Sequence, residues 1–466
     1  MSNKQKVVIL GGGIAGLAAG WRLSKKNFEV YIIEISNRPG GLAGGVEWKG
    51  NVYEFGPHVF HTTDKEILED IKRIMGKDLI RFNRTVKIKF LGEYFNFPLS
   101  ILDILKKLPF KTVVHSLFSL IYNNIKSKFY VPKHQNSETI LLANYGKVLY
   151  EIFFKSYIKK VWGFFPKEFS PEFAKQRIPK MNILEIVEKL FKNLKSKRIK
   201  TLKIKGYVEK VEGEIFTTKY GFSLIAEKIG KEIKDSGGNI LLNHKAKEIS
   251  YCNQKANFVK VISNNVERTL HCDHLISTIP LKYLIELSDP LPGQIVVNAA
   301  NRLKSRATLF IGIIVNKPRA LPASFMYFRD LTFNRIMDLS YFGFDINPPT
   351  ATILIAEVNC DISEVIWNDE EKAIEKVLTD IKNEKIVTQN EIMDSHVFKA
   401  PNAYPIYLLD YEENLETIFN WIDGIKNMQS IGRQGAFSYV NSHIAMKMAY
   451  NAADNIIQGE YNKPTK

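Results

Sequence analysis

A glycine-rich turn near the N-terminus constrains the fold more than any other stretch of the chain. An apolar run from Val7 to Leu10 leads into Gly11, Gly13 and Gly16, which have the spacing G-x-G-x-x-G. The first two glycines allow a tight turn and a close backbone approach to a pyrophosphate, and the third allows a helix to pack on the preceding strand. The spacing therefore predicts a β-strand, a turn and a helix whose N-terminus faces phosphate groups.

An acidic residue stands at the end of the next predicted strand. Residues 14–24 have helical apolar spacing, and residues 29–33 form a second apolar run that ends at Glu34. A carboxylate at this position is placed to accept hydrogen bonds from the hydroxyl groups of a ribose. The whole stretch is a βαβ pattern typical of a dinucleotide site, and it leaves the choice between FAD and NAD open.

A second glycine turn follows directly. Arg38, Gly40 and Gly41 combine a cation with a flexible backbone, so this turn would let the chain contact the same phosphates from another side. That arrangement favours a long, buried and permanently held cofactor over an exchangeable one.

The composition is that of a basic globular protein. The chain has 466 residues, of which 45% are hydrophobic and 12% aromatic, so we expect two or three domains. Lysine and arginine outnumber aspartate and glutamate by 65 to 49, and the net charge of +16 favours an anionic small-molecule substrate. The basic residues are dispersed and no nucleic-acid-binding module is recognisable, so we expect no nucleic-acid partner.

The cysteine and histidine patterns do not indicate a metal site. The 3 cysteines lie far apart without a C-x-x-C pair, which favours a reducing compartment. His58 and His61 follow a bend at Gly56 and Pro57, and their spacing would bring both imidazoles near one point. A His-x-x-His pair alone is poor support for metal binding, so we expect no metal.

The sequence also bears on membranes and location. The first predicted strand begins too early to leave room for a signal peptide, and no apolar run reaches the ~18 residues of a membrane span, so we expect a cytoplasmic protein. Residues 110–130 combine apolar and aromatic side chains with lysines. This segment is interpreted as a buried amphipathic helix, with a peripheral membrane contact as the alternative.

Periodicity outlines the remaining elements. Residues 101–191 are predicted to be mainly helical, and residues 303–359 alternate like an antiparallel sheet. The apolar run at 273–280 is predicted to return the chain to the first sheet. Residues 367–384 are predicted to form one long helix.

Three glycine turns carry a resemblance to a known family. The first turn with Glu34, the Arg38-x-Gly40-Gly41 turn and a C-terminal Gly432-Arg433-x-Gly435 turn resemble the flavin amine oxidase and protoporphyrinogen-oxidase-like superfamily. The resemblance implies FAD as the cofactor. Within this superfamily, the segments at 55–62 (F-G-P-H-V-F-H-T) and 95–99 (F-N-F-P-L) closely resemble UDP-galactopyranose mutase-like flavoproteins.

The resemblance implies an α/β fold with three parts. They are a discontinuous FAD-binding Rossmann-like domain (1–90, 218–280 and 425–466), a mainly helical insertion (91–205) and an antiparallel-sheet substrate-binding domain (281–424).

It also implies site residues. The catalytic candidates are His58, beside the flavin, and Arg177 and Arg306, on the diphosphate of a sugar nucleotide. The residues implied to bind FAD are Gly11, Gly13, Ile14, Ala15, Gly16, Glu34, Arg38, Gly40, Gly41, Leu42, Gly56, Pro57, His58, Ala246, Gly432, Arg433 and Tyr439. Those implied to bind the substrate are Phe97, Trp162, Arg177, Arg306, Tyr404 and Tyr439.

Two enzymatic functions remain open. A mutase-like enzyme would isomerise a nucleotide-diphosphate sugar between pyranose and furanose forms through reduced flavin, with NAD(P)H or another donor as the reductant. An oxidoreductase of the amine oxidase or protoporphyrinogen oxidase type would transfer a hydride to the flavin. Residues 439–443 contain no carboxylate where the mutases continue with an acidic stretch, and residues 217–221 look like the oxidase-like branch. A non-catalytic FAD-bearing or membrane-associated partner is the third possibility.

Overall fold

The computed structural model describes residues 4–97, 107–129, 134–178 and 213–460. Of the mainly helical region predicted at 101–191, residues 101–106, 130–133 and 179–191 lie outside the described residues. Among the helices that are described, none is long and apolar enough to cross a membrane.

The described strands are distributed over most of the chain. They are β1 (Gln5–Leu10), β2 (Phe28–Ile33), β3 (Gly45–Trp48), β4 (Asn51–Glu54), β5 (Phe60–His61), β6 (Leu79–Arg81), β7 (Val86–Phe90), β8 (Glu93–Asn96), β9 (Ile215–Thr218), β10 (Asn239–Leu241), β11 (Lys245–Cys252), β12 (Lys255–Ser263), β13 (Val266–His271), β14 (His274–Ser277), β15 (Ser288–Asp289), β16 (Lys304–Val315), β17 (Phe325–Phe328), β18 (Arg335–Asp338), β19 (Thr352–Cys360), β20 (Ile392–Ile406) and β21 (Met428–Ser430).

The described α-helices cluster between the strand-rich segments. They are α1 (Ile14–Ser24), α2 (Lys65–Met75), α3 (Phe110–Phe129), α4 (Ser137–Leu149), α5 (Ser156–Trp162), α6 (Pro171–Arg177), α7 (Ser223–Asp235), α8 (Leu281–Glu286), α9 (Gln294–Arg302), α10 (Val365–Asn368), α11 (Glu370–Asn383), α12 (Tyr411–Asp423), α13 (Gly432–Gly435) and α14 (Ser442–Gln458).

A five-stranded parallel sheet carries the N-terminal turn. Its strand order is β10-β2-β1-β14-β21. Alternate side chains of β1 enter different cores: Val7 and Ile9 pack with α1, α7 and α14, whereas Val8 and Leu10 pack on the opposite side. β14 pairs with β1, so the prediction of a returning strand at 273–280 is confirmed. The carboxyl ends of these strands meet at one edge, the usual position of a ligand in such sheets.

A seven-stranded, mainly antiparallel sheet lies over that edge. Its strand order is β20-β16-β19-β18-β17-β7-β8, and only the β17–β7 pair is parallel. One face packs under α11, and the other packs against Tyr53, Phe55 and Val59, which follow the second glycine turn. β7 and β8 also belong to this sheet, although they lie outside the segment 281–424 that was predicted to form it. Parallel and antiparallel sheets together confirm the predicted α/β fold, whereas the bounds of the three domains stay predictions.

The helical region between β8 and β9 supports the site from one side. Gly146 in α4 has a φ of +70°, and a Cβ there would lie 2.6 Å from the backbone nitrogen of Leu120. Glycine therefore permits the close crossing of α3 and α4. The chain then continues through a π-helical turn at 150–155 into α5, which ends at Gly163 with a φ of +83°.

Residues 367–384 do not form one helix. α10 ends at Asn368 and α11 begins at Glu370, because Asp369 has an extended backbone and its carboxylate accepts a hydrogen bond from the amide of Lys372 at 3.0 Å. An aspartate at this position satisfies an amide of the first turn of α11. The prediction of a single helix is wrong.

Candidate functional site

The first glycine turn leaves an open space at the N-terminus of α1. Gly11 has a φ of +96°, and a Cβ on Gly16 would lie 2.0 Å from the carbonyl oxygen of Gly11, so only glycine permits this packing. A Cβ on Gly13 would meet nothing nearer than the carbonyl oxygen of Gly40, at 3.9 Å. Gly13 immediately precedes Ile14, and no described side chain caps this helix. The free amides of the first turn of α1 therefore border a space of the kind that an anion occupies.

The second glycine turn lies against the first. The amide of Gly40 donates to the carbonyl oxygen of Gly12 at 2.8 Å, and Gly13 and Gly40 form an isolated parallel bridge. Gly40 and Gly41 have φ values of +120° and +56°. Arg38 reaches across to α7, where its guanidinium forms a 2.6 Å ion pair with Glu227. The two turns thus form one continuous cradle.

Glu34 closes this cradle at the end of β2. Its carboxylate is buried and accepts hydrogen bonds from the amide of Gly12 at 2.7 Å and from the amide and hydroxyl of Ser36 at 2.9 and 2.7 Å. Each carboxylate oxygen has more than one lone pair, so these bonds leave capacity for the hydroxyl groups of a ribose.

The C-terminal turn completes the cradle from the other end of the chain. Gly432 has a φ of +78°, and a Cβ there would lie 2.7 Å from the Cβ of Ala15. A Cβ on Gly435 would lie 2.8 Å from the carbonyl oxygen of Ser277. These contacts bring Arg433 to the carboxyl edge of the parallel sheet. Its Nε and Nη2 atoms are buried and have no hydrogen-bond partner among the described residues.

The cradle fits an adenine dinucleotide. The open space at Gly13 suits a pyrophosphate, the carboxylate of Glu34 suits a ribose, and the buried guanidinium of Arg433 lacks the anionic or polar partner that burial requires. The chemistry of these donors and acceptors therefore agrees with the FAD that the sequence predicts.

Next to the cradle lies a group of side chains that we call the arginine–aromatic cage. The Cζ atom of Arg177 lies 3.1 Å from the ring centroid of Tyr439 and 4.6 Å from that of Trp162. The Cζ atom of Arg433 lies 4.2 Å from the ring of Tyr439 and 5.0 Å from that of Tyr404. The rings of Tyr404 and Tyr439 stack at 5.5 Å, and Trp162 meets Tyr404 edge to face at 5.6 Å. The structure thus brings together five of the predicted residues from four separate segments.

The cage is electrostatically unbalanced. Within the described residues, no carboxylate forms an ion pair with Arg177 or Arg433. Burial lowers the pKa of Arg177, and the charge of Arg433 lowers it further, while Tyr439 opposes this shift. Burial also raises the pKa of the Tyr404 hydroxyl. Two neighbouring guanidinium groups with little solvent favour the binding of an anion between or beside them.

The guanidinium of Arg306 does not point into the arginine–aromatic cage. It stands opposite Tyr404 in the β16–β20 pairing, but its guanidinium donates to the carbonyl oxygens of Val161 and Asn359, each at 3.2 Å, and to Glu364 at 3.2 Å. A Cβ on Gly163 would lie 2.9 Å from its Nη1 atom. These contacts hold the end of α5, so in this structure Arg306 positions Trp162. Its predicted contact with a diphosphate stays a prediction.

The two predicted histidines have different neighbours. The ring of His58 lies 5.5 Å from that of Phe222 at the start of α7, whereas the ring of His61 lies 4.8 Å from that of His443. Gly56, with a φ of +112°, allows the bend before His58. The described residues contain no cluster of three or more groups able to hold a metal ion.

The remaining predicted residues line the edges of the site. Leu42 lies in the 3-10 turn that follows Gly41, and Pro57 continues the bend at Gly56. Ala246 lies in β11, two residues after His244, whose amide donates to the carbonyl oxygen of Glu34 at 2.9 Å.

An ion pair that the sequence analysis missed lies beside the bend at Gly56. Arg335 and Glu357 are both buried and form a bidentate pair, with distances of 2.8 Å (Nε to Oε1) and 2.9 Å (Nη2 to Oε2). A Cβ on Gly56 would lie 3.0 Å from Oε1 of Glu357. The ring of Phe97 lies 5.2 Å from that of Tyr327, whose hydroxyl accepts a 3.4 Å hydrogen bond from Arg335. Glu357 is the single acid in the apolar run 352–360, and in the sequence this was the signal that could have indicated a buried ion pair.

Curated proteins with similar sequences include two mutases. The "Probable UDP-galactopyranose mutase" of Klebsiella pneumoniae is 27% identical over 180 residues, which is 38% of this chain and 46% of that protein. The "dTDP-fucopyranose mutase" of Escherichia coli is 28% identical over 177 residues, which is 37% of this chain and 46% of that protein. The matches thus span about half the length of these relatives.

A solved structure and a family model match a larger share of this chain than the two mutase sequences do. A crystal structure of reduced UDP-galactopyranose mutase superposes with a TM-score of 0.81 at 20% identity, covering 98% of this chain and 96% of that one. Residues 14–392 match the family model described as flavin containing amine oxidoreductase. This match spans most of the chain and contains the helix of the first turn, the second turn and Arg177. The chain therefore belongs to the flavin containing amine oxidoreductase family, and it is an FAD-dependent enzyme.

Proposed function

We propose that this enzyme is UDP-galactopyranose mutase-like and isomerises a nucleotide-diphosphate sugar between its pyranose and furanose forms. The observation that carries the proposal is the arginine–aromatic cage beside the dinucleotide cradle. It combines two cations that lack an acidic partner among the described residues with three aromatic rings. The mutase relatives and the shared fold support the same assignment.

A diphosphate suits the charge of the cage. A buried guanidinium without an anion has lost water without compensation, and a phosphate restores the balance through short, charge-assisted hydrogen bonds. The planar fork of Arg177 allows bidentate contact with phosphate oxygens, which a lysine does not offer. Arg433, which lies nearer to the glycine turns, is assigned to the flavin nucleotide, and Arg177 is assigned to the substrate.

The other residues of the cage would orient the sugar nucleotide. Trp162 and Tyr404 offer apolar ring surface, and Tyr439 offers a hydroxyl beside Arg177. Arg306 fixes the end of α5 and so the position of Trp162. His58, whose ring lies beside that of Phe222 at the start of α7, would help to place the flavin ring. When bound and reduced, FAD supplies the nucleophile for an isomerisation without net redox change. NAD(P)H or another donor would keep it reduced.

The positive charge of the cage also disfavours an amine as the substrate. An ammonium substrate would be repelled by Arg177 and Arg433, whose guanidinium carbons both lie within 4.2 Å of the Tyr439 ring. An oxidoreductase that acts on a neutral or anionic substrate is the second candidate. The absence of a carboxylate from residues 439–443, where mutases continue with an acidic stretch, favours it.

Nucleotide binding tests the proposal. The reduced holoenzyme would be titrated with UDP and dTDP, and binding would be followed by calorimetry or flavin fluorescence. Losing one buried contact between an arginine and a phosphate costs about 2–5 kcal/mol, so Arg177→Ala should weaken nucleotide binding by tens- to thousands-fold. FAD content should not change, because Arg177 is not assigned to the cofactor.

Arg319→Ala is the matched control. Arg319 also stacks on an aromatic ring, Tyr341, at 4.1 Å, but it is exposed and its ring partner is not a predicted site residue. It should bind nucleotides like the unaltered enzyme. If no nucleoside diphosphate binds better than about 1 mM, or if Arg177→Ala binds normally, the oxidoreductase candidate replaces the mutase proposal.

A further inference from the structure

Helix α3 has an exposed face that is apolar. Its six large exposed apolar side chains are between 44% and 87% accessible to solvent, although most residues of this kind are buried elsewhere in the described chain. These side chains are Phe110, Phe118, Ile121, Tyr122, Ile125 and Phe129. At 3.6 residues per turn, they occupy an arc of about 120° on the helix surface.

The opposite face of α3 packs against the rest of the protein. Val113, Ser116 and Leu120 are buried, and they lie on the helix face turned away from the six exposed side chains. α3 packs along α4 at the close crossing permitted by Gly146. The sequence of residues 110–130 favours a buried amphipathic helix, but in the structure only one face of this helix is buried. The exposed aromatic face therefore has no role in the packing of α3 on α4.

The apolar surface continues beyond the start of α3. A cavity of about 350 Å³ lies beside its first turn and is lined by Leu91, Leu108, Pro109 and Thr112 among others. Leu91, at the turn between β7 and β8, is itself exposed. Arg329 and Asp330 also line this cavity and form a 3.5 Å ion pair with each other.

The charged side chains of α3 itself have one sign. Residues 110–129 contain no aspartate or glutamate, and Lys111, His115 and Lys126 are exposed among or beside the apolar side chains. Lys107 lies just before α3 and donates a hydrogen bond to the carbonyl oxygen of Tyr94. An amphipathic helix with aromatic residues on its exposed face and lysines beside them has the composition of helices that lie in the headgroup region of a bilayer.

We propose that α3 docks the enzyme on the surface of a membrane that contains anionic lipids. The aromatic and aliphatic side chains enter the boundary between headgroups and acyl chains, and the basic residues contact the lipid phosphates. The net charge of +16 attracts the whole chain to such a surface. A second copy of the chain is a poorer occupant, because a symmetric contact would oppose α3 lysines to each other without an acidic residue from either helix.

Vesicle binding by the full-length holoenzyme tests the proposal. Sedimentation would compare phosphatidylcholine vesicles with vesicles that also contain phosphatidylglycerol, at low and high salt. Binding should require the anionic lipid and weaken with salt. Phe110→Ser combined with Phe118→Ser should reduce partitioning about tenfold or more, because each change removes a large apolar group from the lipid. Lys111→Glu combined with Lys126→Glu should weaken the preference for anionic lipid, because it reverses two charges beside the apolar face.

Two matched pairs on other surfaces serve as controls. Leu291→Ser with Ile295→Ser removes exposed apolar side chains, and Lys372→Glu with Lys376→Glu reverses exposed lysines of α11. All variants are compared at equal FAD content and equal circular dichroism. If the variant with Phe110→Ser and Phe118→Ser does not fold, the variant with Lys111→Glu and Lys126→Glu tests the proposal by itself. The proposal is overturned if the unaltered enzyme ignores anionic vesicles, or if the α3 variants bind like the controls. It is also overturned if the α3 changes convert a dimer to a monomer without vesicle binding, which would assign the face to a second copy.

Discussion

At the scale of single residues, Gly13 and Gly16 differ in what a side chain would meet. A Cβ on Gly16 would overlap the carbonyl oxygen of Gly11 at 2.0 Å, whereas a Cβ on Gly13 would lie 3.9 Å from the nearest described atom. Gly13 also has a φ of −68°, which any residue adopts. The packing of the protein therefore requires glycine at position 16 but not at position 13, and we predict that glycine at position 13 is required by the cofactor.

A pair of substitutions separates these two requirements. Gly13→Val should give a folded protein without flavin, because the side chain fills the space assigned to the pyrophosphate. Gly16→Val should impair folding itself, because it separates α1 from the turn. Flavin absorbance per protein, circular dichroism and soluble yield would be measured for both. Retention of FAD by Gly13→Val would show that the pyrophosphate does not lie at this turn.

The buried pair of Arg335 and Glu357 gives a second prediction at this scale. Removing one partner of a buried ion pair leaves an uncompensated charge, so Glu357→Ala should lower the free energy of unfolding by about 3–5 kcal/mol. Glu370→Ala breaks the more exposed pair with Lys399 and should cost at most about 1 kcal/mol. Urea unfolding followed by tryptophan fluorescence would compare the two variants. Equal losses would mean that burial of the Arg335–Glu357 pair does not contribute to stability.

At the scale of elements, the local patterns of the sequence predicted the first βαβ unit and the returning strand β14. Glycine spacing and apolar runs are local signals, and these elements depend on little else. Two other outcomes required tertiary information. The sequence does not show that β18 and β19 pair in a register that places Arg335 opposite Glu357, or that Arg306 turns toward α5. The break at Asp369 is different, because an aspartate followed directly by two glutamates is a visible signal for the start of a helix.

A buried acid with a shifted pKa lies beside the start of α7. Glu54, at the end of β4, accepts a hydrogen bond from the amide of Phe222, and its other carboxylate oxygen has no partner among the described residues. Burial raises the pKa of Glu54 from 4.5 to about 8, although the amides of Phe222 and Ser223 oppose the shift. Because the folded-state pKa is raised, the stability that protonated Glu54 contributes is fully present below pH 4.5 and lost as the pH rises to about 8.

Glu54→Gln should remove this dependence on pH. The amide imitates the protonated acid, so the variant should match the unaltered protein at low pH and become more stable than it as the pH rises. The difference should grow by about 1.4 kcal/mol per pH unit within that window. Urea unfolding over a series of pH values would measure it. A difference that stays constant with pH would show that Glu54 is ionised in the folded protein throughout.

At the scale of the whole molecule, the site forms where separate parts of the chain meet. The parallel sheet brings the N-terminal turns and the C-terminal Arg433 to one edge, the helical region supplies Trp162 and Arg177, and β20 supplies Tyr404. Motif order along the sequence predicted which residues would converge in the cage. It did not predict that Arg306 would point away from it, because side-chain direction depends on packing between α5 and the antiparallel sheet.

The proposed mutase reaction rearranges a sugar nucleotide through reduced flavin without net redox change. The most direct measurement is turnover of UDP-galactopyranose and dTDP-fucopyranose by chemically reduced enzyme and by oxidised enzyme, without oxygen. Products and flavin spectrum would be recorded together. We predict conversion to the furanose form only by the reduced enzyme, with the flavin still reduced after many turnovers. Conversion of a substrate to an oxidised product by the oxidised enzyme, with stoichiometric reduction of the flavin, would contradict it.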